Sequence, residues 1–92
     1  MAQAIATIKV MPTSPDVDLE ALEIKMKAAI ANFAGEGETK TKVEPIAFGL
    51  NAIEIIFVMD EALGGPDQLA DKINEFEEVN SAEIIDVRRA IG

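Results

Sequence analysis

The sequence predicts an α+β fold in the order strand, helix, strand, strand, helix, strand, and three observations carry that reading. Two stretches, around Leu22 and around Ile73, repeat apolar residues at three- and four-residue steps, as amphipathic helices do. Four others alternate or run apolar with β-branched residues, as strands do. The breakers Pro12 to Pro15, Gly35 with Gly37, Pro45 with Gly49, and Gly64-Gly65-Pro66 fall between them. A length of 92 residues allows one domain with a modest core, so residues 1–92 are read as one unit with no internal boundary.

From Ala4 to Met11, Ala4, Ala6, Ile8 and Val10 share one side and Thr7 and Lys9 the other, which predicts a half-buried strand. Asp16 and Asp18 follow the proline-rich break, where a carboxylate can accept the free amides that open a helix. Leu19, Leu22, Met26, Ala29 and Phe33 then form one helical face, read as core, and Gly35 or Gly37 ends the helix with a positive φ. Thr39 to Val43 is polar and β-branched, and its Lys40 and Lys42 lie on one face, an ordinary protection for an edge strand, with a binding patch as the less common alternative.

The most apolar segment is Leu50 to Met59. Ile53, Ile55, Phe57 and Met59 make one face, while Ala52, Ile56 and Val58 make much of the other, so this is a central strand whose second face suits a partner or a second copy better than water. After the loop Asp60 to Pro66, a second helix opens near Asp67, carries Leu69, Ala70, Ile73 and Phe76 inward, and ends near Glu78. The last strand, Ala82 to Arg89, alternates less cleanly, with Ile85 and Val87 on one face and Ile84 and Asp86 on the other. This order is the ferredoxin-like split βαβ arrangement: a four-stranded antiparallel sheet, both helices on one face, and spatial strand order fourth, first, third, second. It puts the strand with Pro45 and the lysines at an edge, where a missing backbone donor costs least.

Composition excludes more chemistry than it suggests. With no cysteine there are no disulfides, thiolate metal sites or cysteine nucleophiles, and with no histidine the usual general base and commonest metal ligand are missing. The glycine pair before the second helix lacks the lysine and hydroxyl of a phosphate loop, and Asp60, Glu61 and Asp67 read as a solvated acidic loop before they read as a cation site. A formal charge of -9 disfavours binding along a phosphate backbone, and the strands lack the stacking aromatics of an RNA-binding sheet. No run is long enough to span a membrane and the N-terminus lacks the pattern of a signal peptide, which makes a cytoplasmic protein the default expectation.

One stretch organises the rest: Glu44-Pro45-Ile46-Ala47-Phe48-Gly49-Leu50 closes a hairpin with an aromatic at its tip. From spacing alone Phe48 either folds back over the core, the commoner fate of a phenyl ring, or waits for a partner.

This stretch, together with Ala6-Thr7-Ile8-Lys9-Val10-Met11-Pro12, Ser14-Pro15-Asp16-Val17-Asp18-Leu19-Glu20-Ala21-Leu22 and Asp86-Val87-Arg88-Arg89, gives the chain an end-to-end resemblance to the archaeal elongation factor 1-beta family. These are small exchange factors for the translational GTPase elongation factor 1-alpha. The resemblance implies the same fold and a protein that is not an enzyme and needs no cofactor or metal. Such a factor binds the GDP form of its GTPase, distorts the phosphate and magnesium site, and lets GDP leave so that GTP can enter. It also implies a partner-binding set: Phe48 as the aromatic that docks into the GTPase, with Gly49 and Pro45 beside it. Eukaryotic relatives carry a lysine next to the C-terminus that reaches the magnesium site, whereas this chain reads Arg88-Arg89-Ala90-Ile91-Gly92 there. Arg88 and Arg89 are therefore candidates for that charge, with solubility at a strand end as the plainer alternative. A competing function class is a small ligand-binding or regulatory module of the same fold acting through oligomer interfaces.

Overall fold

The computed structural model describes residues 3–35 and 37–89. Four strands and two α-helices follow in the expected order: β1 (Gln3–Pro12), α1 (Leu19–Ala34), β2 (Thr39–Pro45), β3 (Asn51–Asp60), α2 (Asp67–Ile73) and β4 (Val79–Arg89), with 3-10 turns at Ala47–Gly49 and Glu61–Leu63. The sheet order is β2-β3-β1-β4 with every neighbouring pair antiparallel. Ala6, Ile8 and Val10 of β1 lie opposite Phe57, Ile55 and Ile53 of β3. All six are buried beneath Leu22, Met26 and Ile30 of α1 and Leu69 and Ile73 of α2. The fold is the ferredoxin-like α+β arrangement. Both helices cover one face of the sheet and leave the other open.

Local chemistry sets the element ends. Asp18 Oδ1 accepts the Glu20 and Ala21 amides at 3.1 and 3.3 Å, filling two of the free donors at the start of α1. At the far end Gly35, with φ 84 and ψ 167, occupies a region that side chains other than hydrogen avoid, and its amide bonds the Ala31 carbonyl. Pro45 is the last residue of edge strand β2, where no ladder needs its missing N–H.

The second half of the chain departs from its pattern in three places. Helix α2 stops at Ile73 and not near Glu78, because β4 starts at Val79, three residues before the expected Ala82. Val79 pairs with Pro12, and the Thr13 amide bonds the Glu78 carbonyl at 2.9 Å, so the chain must already be extended where helical periodicity would continue. Asn74, just past the helix, fixes this corner: its amide donates to the Ala82 carbonyl at 3.0 Å and accepts the Ala82 N–H at 2.9 Å, acting as a one-residue strand on the β4 edge. Secondly, Phe33 and Phe76 are half-buried at the margin of the core and not within it. The Lys25 ammonium lies 4.8 Å from the centre of the Phe76 ring, within cation–π range.

Thirdly, β4 carries a bulge. Its register with β1 shifts between Thr7 and Ile8, so Ile84 lies opposite Ile8 and Asp86 opposite Thr7, with Ile85 as the extra residue. Ile84 and Asp86 thus face opposite sides of the sheet, although simple alternation puts them together. Val87, opposite Ala6, turns to the helix side yet stays exposed. Helix α2, at 1.5 Å per residue, is only about 10 Å long and cannot cover a strand more than three times that length.

Candidate functional site

The β2–β3 hairpin holds its tip in a geometry that few sequences choose. Phe48 has φ 64 and ψ 28, Gly49 has φ 76, and the Leu50 amide bonds the Ala47 carbonyl at 3.3 Å. Positive φ at both central residues is the pattern of a type I′ turn, the connection whose twist matches paired strands. Such turns favour Asn-Gly or Gly-Gly. Here the first position holds a phenylalanine, the only described residue other than glycine at positive φ. Outside the turn, the Ile46 amide bonds the Leu50 carbonyl at 2.8 Å and closes the hairpin.

Holding an L-residue in that region costs about 1–2 kcal/mol. The ring recovers none of it by burial, for Phe48 is 93% exposed. Of the two fates open to this side chain from its spacing, the exposed one holds. Gly49 is needed for its dihedral and not for space, because a Cβ built on it would sit 3.9 Å from Pro15 Cγ, an ordinary contact.

Arg88 and Arg89 stand at the other end of the sheet. Arg88 lies opposite Ile5 and so on the open face, and Arg89 lies opposite Ala4 on the helix face. Each is matched by a carboxylate: Arg88 Nε reaches Asp86 Oδ2 at 2.8 Å, and Arg89 Nε reaches Glu61 Oε1 at 3.1 Å. Both pairs are largely exposed, and exposed pairs contribute about 0–1 kcal/mol, so either guanidinium can be released cheaply to a stronger acceptor. The ten residues of β3 separate the hairpin tip from this end, about 30 Å at 3.3 Å per residue. The five residues singled out from the sequence therefore form two groups: Pro45, Phe48 and Gly49 at one end, Arg88 and Arg89 at the other. Residues 90–92, where a terminal lysine was sought, lie outside the described residues.

The sequence marks the second face of β3, with Ala52, Ile56 and Val58, as suited to a partner or a second copy, but not the charged rows that cross it between these ends. Across the strands Lys40, Ile56 and Thr7 share one row, and Lys42, Glu54 and Lys9 the next. Glu44 sits diagonally beside Glu54, and a hydrogen bond between the two carboxyls raises the Glu54 pKa above its ordinary range and lowers that of Glu44, with Lys42 and Lys9 further favouring the charged Glu44. On the helix side, hydrogen bonds from Lys27 to Glu23 and from Lys25 to Glu78 hold both carboxyls below the ordinary range. The described residues contain no group of three or more acidic side chains placed to hold a metal ion, and no described helix is long and apolar enough to cross a membrane.

Comparison with known proteins gives the arrangement its context. The family model of the EF-1 guanine nucleotide exchange domain matches residues 5–90. The chain is 43% identical over 90 residues to "Elongation factor 1-beta" of Methanobrevibacter smithii, covering 97% of this chain and 98% of the relative. It is 44% identical over 89 residues to the protein of the same name from Methanothermobacter thermautotrophicus, with the same coverage. To that of Methanococcus maripaludis strain C7 it is 39% identical over 87 residues, covering 95% of this chain and 97% of the relative.

Proposed function

This chain belongs to the family of EF-1 guanine nucleotide exchange domains, with archaeal elongation factors 1-beta as relatives over nearly its whole length, and from that premise we propose that it promotes exchange of GDP for GTP on elongation factor 1-alpha. The observation that carries the residue-level reading is Phe48: a strained, solvent-exposed aromatic at the tip of an otherwise orderly hairpin. Strain that no intramolecular contact offsets points to a contact made elsewhere.

The mechanism requires no chemistry from this chain, which breaks and forms no covalent bond. An exchange factor works by binding the nucleotide-free GTPase more tightly than the GDP-bound one, and each 1.4 kcal/mol of that difference weakens GDP binding about tenfold. Phe48 acts as the anchor, a rigid apolar knob that fills a pocket and fixes the orientation of the complex. Pro45 and Gly49 hold it there, one by ending β2, the other by permitting the turn. Arg88 and Arg89 supply the positive charge at the far end, exchanging Asp86 and Glu61 for acceptors near the phosphate and magnesium site. Because the two groups lie at opposite ends of the sheet, the partner surface is broad or bilobed, and the chain acts as one domain bridging it.

Release of a fluorescent GDP analogue from an archaeal elongation factor 1-alpha, with and without this protein, tests the proposal. Acceleration that grows with protein concentration and then saturates is expected. An unchanged release rate at saturating protein would overturn it.

A further inference from the structure

The proposed contact touches both ends of the sheet, and the molecule offers two surfaces that connect those ends: the helix layer and the open face of the sheet. We infer that the open face lies against the GTPase, a reading that rests on the proposed exchange function and adds to it the surface by which the partner is held. Beside the start of β2, Ile5, Ile56 and Val58 line a groove of about 460 Å³ together with Glu38, Thr39, Lys40 and Phe57. On that face Ile56 and Val58 of central strand β3 are 38% and 39% exposed, neighbouring apolar side chains that nothing among the described residues covers.

Unmatched cations distinguish the two surfaces. Of eight Lys and Arg in a chain of formal charge -9, four (Lys9, Lys40, Lys42 and Arg88) stand on the open face. Glu44, Glu54, Glu83 and Asp86 share this face, yet Lys9, Lys40 and Lys42 form no ion pair within 4.0 Å among the described residues, whereas on the helix side Lys25, Lys27 and Arg89 are matched to carboxylates and Lys72 is not. The occupant that fits is a GTPase surface apolar opposite the groove, with carboxylates opposite Lys40 and Lys42. Continuity supports the same assignment, because Arg88 occupies the row of Ile5 and Val58. A nucleic acid fits poorly, since the face carries no aromatic ring on which a base could stack.

Three variants and the GDP-release assay decide the matter. Val58→Glu puts a carboxylate into the exposed groove, Lys40→Glu with Lys42→Glu reverses the rim, and Ile24→Glu makes the same kind of change on the helix layer, where Ile24 is 69% exposed. The second-order rate constant for accelerated release is expected to fall at least about tenfold for Val58→Glu. The lysine double variant should also lose rate and show a shallower dependence on ionic strength, and Ile24→Glu should match the wild type. Thermal unfolding run in parallel shows whether each variant remains folded, and Ile56→Gln, a milder change in the same groove, serves if Val58→Glu does not. Wild-type exchange with unchanged rates for all open-face variants would overturn this inference and leave the exchange function standing. Loss of rate in Ile24→Glu alone would place the partner on the helix layer. Sedimentation of the protein by itself is expected to show a monomer, and a dimer broken by Val58→Glu would assign the face to a second copy.

Discussion

Phe48 and Phe57 are nine positions apart, on the hairpin tip and in the strand that leaves it, and they have opposite fates. Phe57 is 1% exposed at the centre of the core, between the sheet and both helices; Phe48 is 93% exposed and held in a backbone conformation that its side chain disfavours. One ring stabilises the fold and the other is carried at a cost. A buried aromatic contributes through the area that it removes from water. An exposed one contributes nothing to folding by burial, so the contrast separates a ring that stabilises the fold from one whose cost the fold does not recover.

The largest effect expected from that contrast is in the core. Phe57→Ala should destabilise the protein by about 3–5 kcal/mol, measured by chemical denaturation, through lost transfer energy and the cavity left behind. A smaller loss would mean that the sheet and helices close over the gap. Phe33→Ala, at the margin of the core, should cost distinctly less than Phe57→Ala, since its cavity opens to solvent.

Phe48 should invert the pattern. Phe48→Ala is expected to lose about 2–4 kcal/mol of binding to the GTPase while the melting temperature barely moves. Phe48→Asn should go further: asparagine tolerates positive φ and completes the favoured Asn-Gly turn, so stability should rise on the order of 1 kcal/mol as exchange activity falls. A variant that is destabilised yet exchanges nucleotide normally would show that the ring serves the fold.

The arginines test the opposite end of the sheet. Replacing Arg88 and Arg89 together with alanine should lower the exchange rate and leave stability within about 1 kcal/mol of wild type, because each breaks only an exposed ion pair. Unchanged exchange kinetics would return both to a role in solubility.

The smallest effect is in the response to acid. Glu54 has a raised pKa, so the repulsion between it and Glu44 is relieved as pH falls through that raised value, and stability gains there. Glu23 and Glu78 have lowered pKa values. Their pairing with Lys27 and Lys25 stabilises the fold above the ordinary carboxylate range and is lost as pH falls through the lowered values. Melting temperatures of wild type and Glu54→Gln across the acidic range should therefore differ at neutral pH, with the variant slightly more stable, and converge before the decline that both share.

The element order, the edge position of the Pro45 strand, the Asp18 cap and the central strand of Ile53, Ile55 and Phe57 were legible in the chain, because periodicity, capping and proline chemistry act over a few residues and are written where they act. The family resemblance was legible too, and it weighed for an exposed Phe48 where spacing favoured burial. Tertiary structure decided the rest. Whether Phe48 folds inward depends on the turn conformation and on what remains to cover it; where α2 stops depends on Val79 pairing with Pro12, most of the chain away; and the sides on which Ile84 and Asp86 fall depend on a bulge against β1. The last two are settled by pairing with β1, distant in sequence, which outweighs a local preference worth about 1 kcal/mol or less per residue.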